Sequence, residues 1–496
     1  MAFGWKLYGG DGRTPPPGEV VRPDERLTWP RTVGIGAQHV VAMFGATFVF
    51  PLVMGLDPNV AIMMSGVATI MFLLITQGKV PSYLGTSASF VGGVLAIRAA
   101  NGGDTITADK LVTGSILVAG LVLAGCGLLL NYLGPDALHR IFPPAVTGAV
   151  VMLIGFGLAF VVADVYWPQD QWVALLTMLA VFLMTVLLRG FWARISILLG
   201  LIVGIGLSWL FDQIYGQINS PNQYNALTME PHDRLSYAGL GDKDWIGLPD
   251  FHGPEFKWSA IVLVLPAVIA LIAENTGHVK AVGEITRTDL DGTIGKAIFA
   301  DGVGTAVATS VGGSPTTTYA ENIGVMAATR VYSTAAYYVA GAVAILFGLC
   351  PKFGTLVSDT PGGVLGGVTV VLYGMIGLLG AKIWNENGVD FANPINMVPL
   401  GAGIILAIGP VDQVINSDFR ISGIAFGTIV ALGGWHLLRW LAPDHMRADL
   451  ARERPPRTLH PGLEREPEQP APRDWEPEAR EPEAREPEAR EPEPTG

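Results

Sequence analysis

Gly312-Gly-Ser-Pro-Thr-Thr-Thr-Tyr-Ala-Glu-Asn-Ile-Gly-Val-Met-Ala-Ala-Thr-Arg330 is the stretch that decides the fold. It interrupts long apolar runs, and it is too polar and too rich in glycine and threonine to cross a bilayer as one helix. Pro315 disfavours a helix before it, whereas the residues from Tyr319 onward follow a helical pattern that puts Glu321 in the first turn. We therefore expect an extended segment followed by a half-helix. Irregular backbone at membrane depth survives only inside protein or beside a polar cavity, so this segment is the first candidate for a binding site.

The whole chain has the composition of an integral membrane protein. Of its 496 residues, 50% are hydrophobic and only 15% are charged. Residues 1–30 are polar and proline-rich and lack the apolar core of a cleavable signal, so the first apolar run is expected to be the first span. The two cysteines, Cys126 and Cys350, give no disulfide framework and are expected to be small buried hydrophobes.

Apolar runs predict fourteen membrane segments, seven on each side of a polar loop at 213–257. The segments are about 33–54, 58–77, 82–98, 110–133, 144–164, 170–188, 194–212, 258–281, 293–311, 313–330, 331–350, 361–381, 394–411 and 420–441. The third segment of each seven is discontinuous, and the first of these two contains Pro81-Ser-Tyr-Leu-Gly-Thr-Ser-Ala-Ser-Phe90. Matching interruptions in two halves with an odd number of spans are typical of an inverted repeat. The predicted fold class is an all-α polytopic membrane protein with a 7+7 inverted repeat.

Basic residues in the short loops predict the orientation of the chain. The richer side is taken as cytoplasmic and holds Lys79, Arg140, Arg189, Arg194, Lys280, Arg287, Lys296, Arg330 and Lys382; the other side has Arg98, Lys110, Lys352 and Arg420. Both termini are then cytoplasmic. Residues 1–30 form an N-terminal arm, and the loop 213–257 is extracellular. Residues 442–496, with three Glu-Pro-Glu-Ala-Arg repeats, are predicted to be a disordered cytoplasmic tail.

Two glutamates are the leading candidates for chemistry. Glu274 follows a long apolar run, and an acid at that depth usually faces the interior of the bundle, which favours function over a structural hydrogen bond. His278 lies four residues on, hence on the same helical face, where a carboxylate and an imidazole could share a proton. Glu321 sits at the positive end of a half-helix. An ionised glutamate only accepts hydrogen bonds, so it suits a ligand that presents N–H groups; the alternative is a capping acid.

The remaining candidates are weaker. Asn322 and Asp301 are each compatible with a functional role or with a structural one: for Asp301, a hydrogen bond to the broken segments or a place near the cytoplasmic surface. Ala88 and Ala320 mark the two half-helix starts, where small side chains let a ligand approach backbone N–H groups, although small residues also serve helix packing. Ser89 is taken as a supporting residue.

For three other side chains in the apolar segments, a structural role is the expected one. Tyr319 and Tyr373 are candidate stacking or lid aromatics, but aromatics are common in membrane helices. His39 is alone in an apolar span and is expected to be a satisfied core residue. The sequence has no metal-ligand spacing, phosphate-binding glycine loop or nucleophile triad, so neither an enzyme, a metal nor a cofactor is predicted.

These residues carry a family resemblance. Glu321-Asn-Ile-Gly-Val-Met-Ala-Ala-Thr-Arg330 resembles the signature of the nucleobase–ascorbate transporter family. Ala273-Glu-Asn-Thr-Gly-His278 and Ala37-Gln-His-Val-Val-Ala-Met-Phe-Gly-Ala-Thr47 resemble the uracil permeases of that family. The similarity runs from about residue 30 to 440 and leaves out the tail.

The resemblance implies a transporter domain at 31–441, divided into a core (about 31–133 and 258–350) and a gate (about 144–212 and 361–441). The substrate would lie between short antiparallel strands and half-helices of segments 3 and 10. Family members often form dimers through the gate, so a homodimer is expected.

The resemblance also assigns roles to residues. Glu274 and Glu321 would bind the N–H and carbonyl edge of the base, directly or through water, and His278 would partner Glu274 in proton coupling. The remaining positions would complete or line the pocket; they are Ala88, Ala320, Ala46 and, from the gate side, Tyr373.

Two departures bear on the substrate. Ala88 stands where the uracil permeases have phenylalanine, and Asp301 resembles the purine branch of the family. Glu321, however, stands where purine and xanthine members usually have glutamine. We therefore expect proton-coupled uptake (symport) of uracil or a related base across the bacterial cytoplasmic membrane by alternating access. The alternatives are a purine or xanthine permease, or an anion channel or exchanger of the same 7+7 fold, which would need a positively charged site.

Overall fold

The computed structural model describes most of the chain up to residue 450. The described residues are 4–16, 19–101, 105–134, 140–221, 231–237, 239–319, 321–409, 411, 413–416, 419–421 and 423–450. The Glu-Pro-Glu-Ala-Arg repeats and most of the predicted tail lie outside them, as does Ala320.

Nineteen α-helices carry the described fold. In the first half they are α1 Trp29–Ala42, α2 Phe44–Met54, α3 Pro58–Ile75, α4 Val91–Ala100, α5 Thr105–Leu133, α6 Pro144–Gly157, α7 Gln171–Leu187, α8 Phe191–Arg194 and α9 Ser196–Tyr215. In the second half they are α10 Trp258–Val264, α11 Ala267–Thr286, α12 Ile294–Ser310, α13 Glu321–Thr329, α14 Thr334–Gly348, α15 Pro351–Ser358, α16 Gly362–Asn387, α17 Pro394–Ile408, α18 Gly423–Leu441 and α19 Asp444–Leu450.

Eight short strands form four two-stranded sheets within the described residues. The strands are β1 Lys6–Leu7, β2 Glu25–Arg26, β3 Leu84–Thr86, β4 Ile218–Asn219, β5 Pro231–His232, β6 Thr316–Thr318, β7 Gln413–Asn416 and β8 Phe419–Ile421. The pairs β1–β2, β4–β5 and β7–β8 join strands that are near one another in the sequence. Among these described strands, only β3 and β6 bring the two halves of the chain together.

The described helices include enough apolar length to cross a membrane many times. Eight helical stretches qualify, and nine if α14 and α15, which meet at 82°, count as one broken span. Residues 88–98, α7 and α17 are apolar but shorter. The predicted apolar runs all coincide with helices or with the two broken segments, whereas the total of fourteen spans stays a prediction. The protein is an integral membrane protein.

Close helix packing depends on small residues. α5 packs along α12, α3 along α14, and α6 along α16. A Cβ at Gly66 of α3 would lie 2.3 Å from the carbonyl oxygen of Gly341 in α14, so the two helices touch backbone to backbone. These pairs lie within the predicted core or within the predicted gate; the division itself stays a prediction.

The antiparallel pair β3–β6 forms the predicted meeting point of the two broken segments. Leu84 pairs with Thr318, Gly85 with Thr317, and Thr86 with Thr316. All six residues are buried. The ribbon continues at both ends, because the N–H of Ser87 donates to Pro315 O at 2.8 Å and that of Tyr319 to Tyr83 O at 3.3 Å. Each strand leads into a short helix, α4 on one side and α13 on the other.

The N-terminal arm is anchored to the residues that follow α13. Val21 receives the N–H of Tyr332 at 2.8 Å and donates to Arg330 O at 2.9 Å. The Arg330 guanidinium donates to the carbonyls of Pro16 (2.7 Å) and Pro15 (3.1 Å). Basic-residue counting predicts that both the arm and Arg330 lie on the cytoplasmic side, and their contact agrees with that prediction.

Tyr8 is the one described group of the arm whose titration is shifted strongly. Its hydroxyl donates to the Glu19 carboxylate, and this hydrogen bond raises the pKa of Tyr8 to about 12. The phenol therefore stays protonated at physiological pH, and it ties the start of the arm to a residue eleven positions later.

The described part of the loop 213–257 is anchored by a buried ion triad. The Arg234 guanidinium lies 2.6 Å from Asp170 and 3.1 Å from Asp212, and all three side chains are at most 11% exposed. Asp170 also accepts the N–H groups of Trp172 and Val173 and so caps α7. The triad joins the loop to α7 and α9.

Replacing Arg234 by methionine should leave two carboxylates buried close together. We expect the variant to lose at least about 3 kcal/mol of stability, the scale for removing one partner of a buried ion pair. A lower midpoint of thermal unfolding in detergent would confirm this. The matched control is Lys382→Met, because the Lys382–Glu386 pair is more than half exposed on both sides and should contribute little. Equal midpoints for the two variants would contradict the prediction.

The first residues of the predicted tail are helical, which corrects the boundary at 442. In α19, Met446 and Leu450 pack against the main apolar core, and the Met446 carbonyl accepts a hydrogen bond from the Asn393 amide at 2.9 Å. The sequence interpretation gave too little weight to these two apolar residues, four positions apart on one helical face.

Candidate functional site

The site is built where the β3–β6 ribbon passes into its two helices. After β3, the Ser87 hydroxyl accepts the Ser89 N–H at 3.3 Å and starts a single 3-10 turn, Ala88–Phe90, that continues into α4. After β6, α13 begins at Glu321. Ala88 is buried, at 7% exposure, at the first of these helix starts. The side chains of Ala46 and Glu321 lie outside what the structure describes, so their predicted roles stay predictions.

Helix α11 is hydrogen-bonded to β6 and to the segment that leads into β3. The Thr318 hydroxyl donates to Asn275 Oδ1 at 3.2 Å, which attaches α11 to β6. His278 Nε2 lies 2.8 Å from the Ser82 hydroxyl, which attaches the same helix to the segment leading into β3. Glu274 is half-buried on this helix, directly before the fully buried Asn275. The predicted acid therefore lies on the helix that is fastened to the ribbon.

Among the described residues, His278 is bonded to Ser82 and not directly to Glu274, and the predicted proton-coupling pair stays a prediction. One ring nitrogen is used by Ser82, and the other, Nδ1, has no hydrogen-bond partner. The four-residue spacing places both side chains on one face, but the imidazole is turned toward β3 instead of along the helix.

Asp301 belongs to the scaffold of the site. It is fully buried in α12, and its Oδ2 accepts a hydrogen bond from Asn275 Nδ2 at 2.6 Å. Asn275 thus links Asp301 to Thr318 of β6 with the two ends of one amide. In the described residues the link from Asp301 to the broken segments runs through the Asn275 side chain, and the predicted functional role of Asp301 stays a prediction.

A second polar pair anchors α13 to the first span. His39 Nδ1 lies 2.6 Å from Asn322 Oδ1, and both side chains are buried. The ring of Tyr337 lies over His39, with centroids 4.3 Å apart. His39 is therefore a hydrogen-bonded core residue as expected, but sequence reasoning missed that its partner is Asn322. One clue was present in the sequence, because His39 and Asn322 both lie in motifs that carried the family resemblance.

Tyr319 braces the ribbon, and its predicted stacking or lid role stays a prediction. Its hydroxyl donates to the carbonyl oxygen of Thr86, and its side chain is 6% exposed. The ring lies directly over Gly85, where a Cβ would come within 2.2 Å of Tyr319 Cε2. Tyr319, which directly follows β6, is thus fixed on top of β3.

Tyr373 connects the predicted gate to the predicted core. It is buried in α16 and stacks on Phe50 of α2, with centroids 5.8 Å apart and planes 8° apart. Its hydroxyl has no hydrogen-bond partner. The predicted gate-side tyrosine therefore faces the first span.

A small cavity lies beside the first helix start. Its accessible volume of about 10 Å³ matches a single water molecule. It is lined by Ser89 and Phe90, by α11 residues Ala267 and Ala270, and by Ile424 of α18. The Ser89 hydroxyl is buried without a hydrogen-bond partner. The site is thus tightly closed on this side.

The sequence from residue 30 to 416 matches the pattern of a permease family. This is the family predicted from the motifs. The chain belongs to the nucleobase–ascorbate transporter family. It is a transporter and not an enzyme.

Curated relatives cover most of the chain. "Putative pyrimidine permease RutG" of Escherichia coli strain K12 is 41% identical over 83% of this chain and 90% of its own length. A uracil permease of the same strain is 33% identical, over 82% of this chain and 91% of its own. A uracil permease of Bacillus caldolyticus is 32% identical, over 86% and 95%.

Solved structures agree with the predicted fold class. The transmembrane domain of the cyanobacterial bicarbonate transporter BicA aligns with a TM-score of 0.54 at 14% identity, over 81% of this chain and 96% of that one. The murine Solute Carrier 26 family member A9 anion transporter, in its inward-facing state, gives 0.61 at 10% identity, over 84% and 70%. These neighbours agree with the predicted inverted-repeat fold and bear on the fold alone; the exact count of spans stays a prediction.

Proposed function

We propose that this transporter takes up uracil or a closely related pyrimidine base by symport with protons, through alternating access of one site to the two sides of the membrane. The observation that carries the proposal is the attachment of α11 to β6 and to the segment that leads into β3. Glu274 lies on α11, and α11 is bonded to β6, the strand that leads to the start of α13 at Glu321. Two acids at such a place would bind a neutral ligand through its N–H groups.

The identity of the base rests on the relatives. RutG is named for pyrimidines, and the two other relatives are uracil permeases. The bicarbonate and anion transporters share the fold at 10–14% identity. An anion would meet two carboxylates at this site, so an anion channel or exchanger is the weaker alternative. A purine or xanthine substrate is the other alternative, suggested by Asp301.

His278 would take part in proton coupling after a change of partner. In this conformation its Nε2 bonds to Ser82 and its Nδ1 has no hydrogen-bond partner. We propose that, during the transport cycle, the imidazole exchanges Ser82 for Glu274, directly or through water, so that one proton is shared in one conformation and released in the other.

Contacts across the loops support the proposed orientation, with both termini in the cytoplasm. Basic-residue counting puts Lys110 and Lys352 on the extracellular side together with the loop 213–257. Lys110 Nζ lies 3.3 Å from Glu255 of that loop, and the Lys352 N–H donates to Asp244 O. We further propose a homodimer formed through the gate, on the basis of the family resemblance; the mass of the detergent-solubilised particle would test it.

Transport assays in proteoliposomes test the proposal. We expect uptake of radiolabelled uracil to rise when the outside is acidic, and Glu321→Gln and Glu274→Gln each to lower uptake at least about tenfold through loss of a charge-assisted hydrogen bond. Glu386→Gln is the control, since this carboxylate is exposed and pairs with Lys382. Uptake that ignored both the gradient and the two substitutions would remove the proposal. Competition by xanthine but not uracil would favour the purine alternative, and a chloride conductance unaffected by bases would favour the anion alternative.

A further inference from the structure

The two strands of the ribbon have outer edges that need partners. In an antiparallel pair, alternate residues direct their N–H and C=O groups toward the other strand, and the residues between them direct these groups away. Ser87 and Tyr319 bond across the ribbon, so Gly85 and Thr317 do so as well, and Leu84 and Thr316 face outward. Unpaired backbone groups at membrane depth are costly, so these outward groups require donors and acceptors.

One threonine hydroxyl serves each of these two outward-facing residues, Leu84 and Thr316. Thr69 Oγ1 in α3 accepts the N–H of Leu84 at 2.9 Å and donates to its carbonyl oxygen at 3.4 Å. In the second half, Thr305 Oγ1 in α12 accepts the N–H of Thr316 at 3.1 Å and donates to its carbonyl oxygen at 3.0 Å. Both threonines are fully buried.

The two arrangements correspond to each other in the inverted repeat. Each threonine lies in the helix that precedes its strand, and each bonds to the first residue of that strand. The strand then leads within a few residues to a helix start, at Ala88 in one half and at Glu321 in the other. A displacement of either strand would therefore displace a helix start at the site.

We propose that Thr69 and Thr305 are a matched pair of positioning residues that hold the two strands, and through them the two helix starts, in the geometry that binds substrate. The inference rests on the proposed function, because it takes uracil as the substrate. It goes beyond that function by assigning a positioning role to two hydroxyls whose hydrogen bonds go to backbone groups of the strands.

Isosteric and conservative substitutions separate positioning from folding. Thr→Val keeps the shape of the side chain but removes the hydroxyl, and Thr→Ser keeps the hydroxyl. We expect Thr69→Val and Thr305→Val each to raise KM for uracil at least about tenfold, equivalent to about 1.4 kcal/mol. The maximal rate per folded protein should change much less. The serine variants should restore KM to within about threefold, which is about 0.7 kcal/mol.

Neighbouring threonines provide matched controls. Thr76, directly after α3, and Thr309 of α12 are also buried, but their hydroxyls bond to the carbonyls of Phe72 and Thr305, four residues earlier. Thr76→Val and Thr309→Val should leave KM unchanged. If these controls raised KM as much as the test variants, or if the test variants only lowered the amount of folded protein at unchanged KM, the proposal would be overturned.

Hydrogen exchange of the backbone provides a readout that does not depend on transport. The amides of Leu84 and Thr316 should exchange faster with solvent in the respective valine variant of full-length protein in detergent, and not in the controls. Unchanged exchange at both amides would overturn the positioning role. If the valine variants showed the expected faster exchange but the wild-type protein took up no base, only the proposed function would be overturned.

Discussion

Gly85→Ala is expected to reduce uptake more than about a hundredfold. A Cβ at this position would lie 2.2 Å from Tyr319 Cε2 and 2.9 Å from Thr47 Oγ1, far inside van der Waals contact. The ring cannot retreat without giving up the hydrogen bond from its hydroxyl to Thr86 O. The backbone of residue 85 cannot retreat either, because it is paired with Thr317. Forcing even small groups into a packed interior costs about 1–3 kcal/mol, and here the displaced ring lies next to the start of α13.

The measurement is uracil uptake normalised to folded protein, and Gly125→Ala in α5 is the control. A Cβ at Gly125 has no heavy atom within 4 Å, so that variant should transport normally. A double variant identifies the cause. If the added methyl group acts by displacing the ring, Gly85→Ala with Tyr319→Ala should be no worse than Tyr319→Ala alone, because the two effects act at one contact. Additive losses would show that the ring is not the obstacle, and normal uptake by Gly85→Ala would refute the prediction outright.

The location of the ribbon was predictable, but its internal bonding was not. Pro315 and the glycine-rich and threonine-rich composition around it mark a segment that cannot be a helix, and a similar segment recurs at residues 81–90. That repetition was enough to predict two broken segments in corresponding places, and the family resemblance supplied the antiparallel pairing. The register sets Gly85 against Thr317, and the contacts around it join residues that spacing does not bring together: the ring of Tyr319 lies over Gly85, and hydroxyls of α3 and α12 bond to the strands.

Single polar residues in apolar spans were the hardest to interpret. Asn275, adjacent to the candidate Glu274, gives no separate signal in the sequence, yet it joins α11 to α12 and β6. His39 is a core residue as predicted, but a partner 283 positions away could not be inferred from spacing. The four-residue rule did bring His278 and Glu274 to one face, and it failed on the orientation of the ring. A lone polar side chain in a membrane helix predicts that a partner exists, while the packing of distant segments decides which partner it is.

Asn275→Leu is expected to have an effect of similar size, for an electrostatic reason instead of a steric one. Leucine has the branching of asparagine but cannot donate to Asp301 or accept from Thr318, two bonds of 2.6 and 3.2 Å in a fully buried place. Leaving a buried polar group without its hydrogen-bond partner costs about 1–3 kcal/mol, and more when the group is charged. We expect much less folded protein, and uptake per folded molecule lower by more than about a hundredfold, since β6 also loses its attachment to α11.

A second substitution separates the two consequences. Replacing both members of a buried polar pair by apolar groups costs less than removing one, because no unpaired group remains. Asn275→Leu with Asp301→Leu should therefore unfold at a higher temperature than Asn275→Leu alone, yet uptake should stay low, because Thr318 still lacks its acceptor. Thr276→Val is the control on the same helix, since its hydroxyl bonds to Ile272 O at 2.6 Å within that helix. Recovery of uptake together with stability in the double variant would mean that Asn275 serves only to neutralise Asp301, and that β6 is held in place by Thr305 and its strand partner alone.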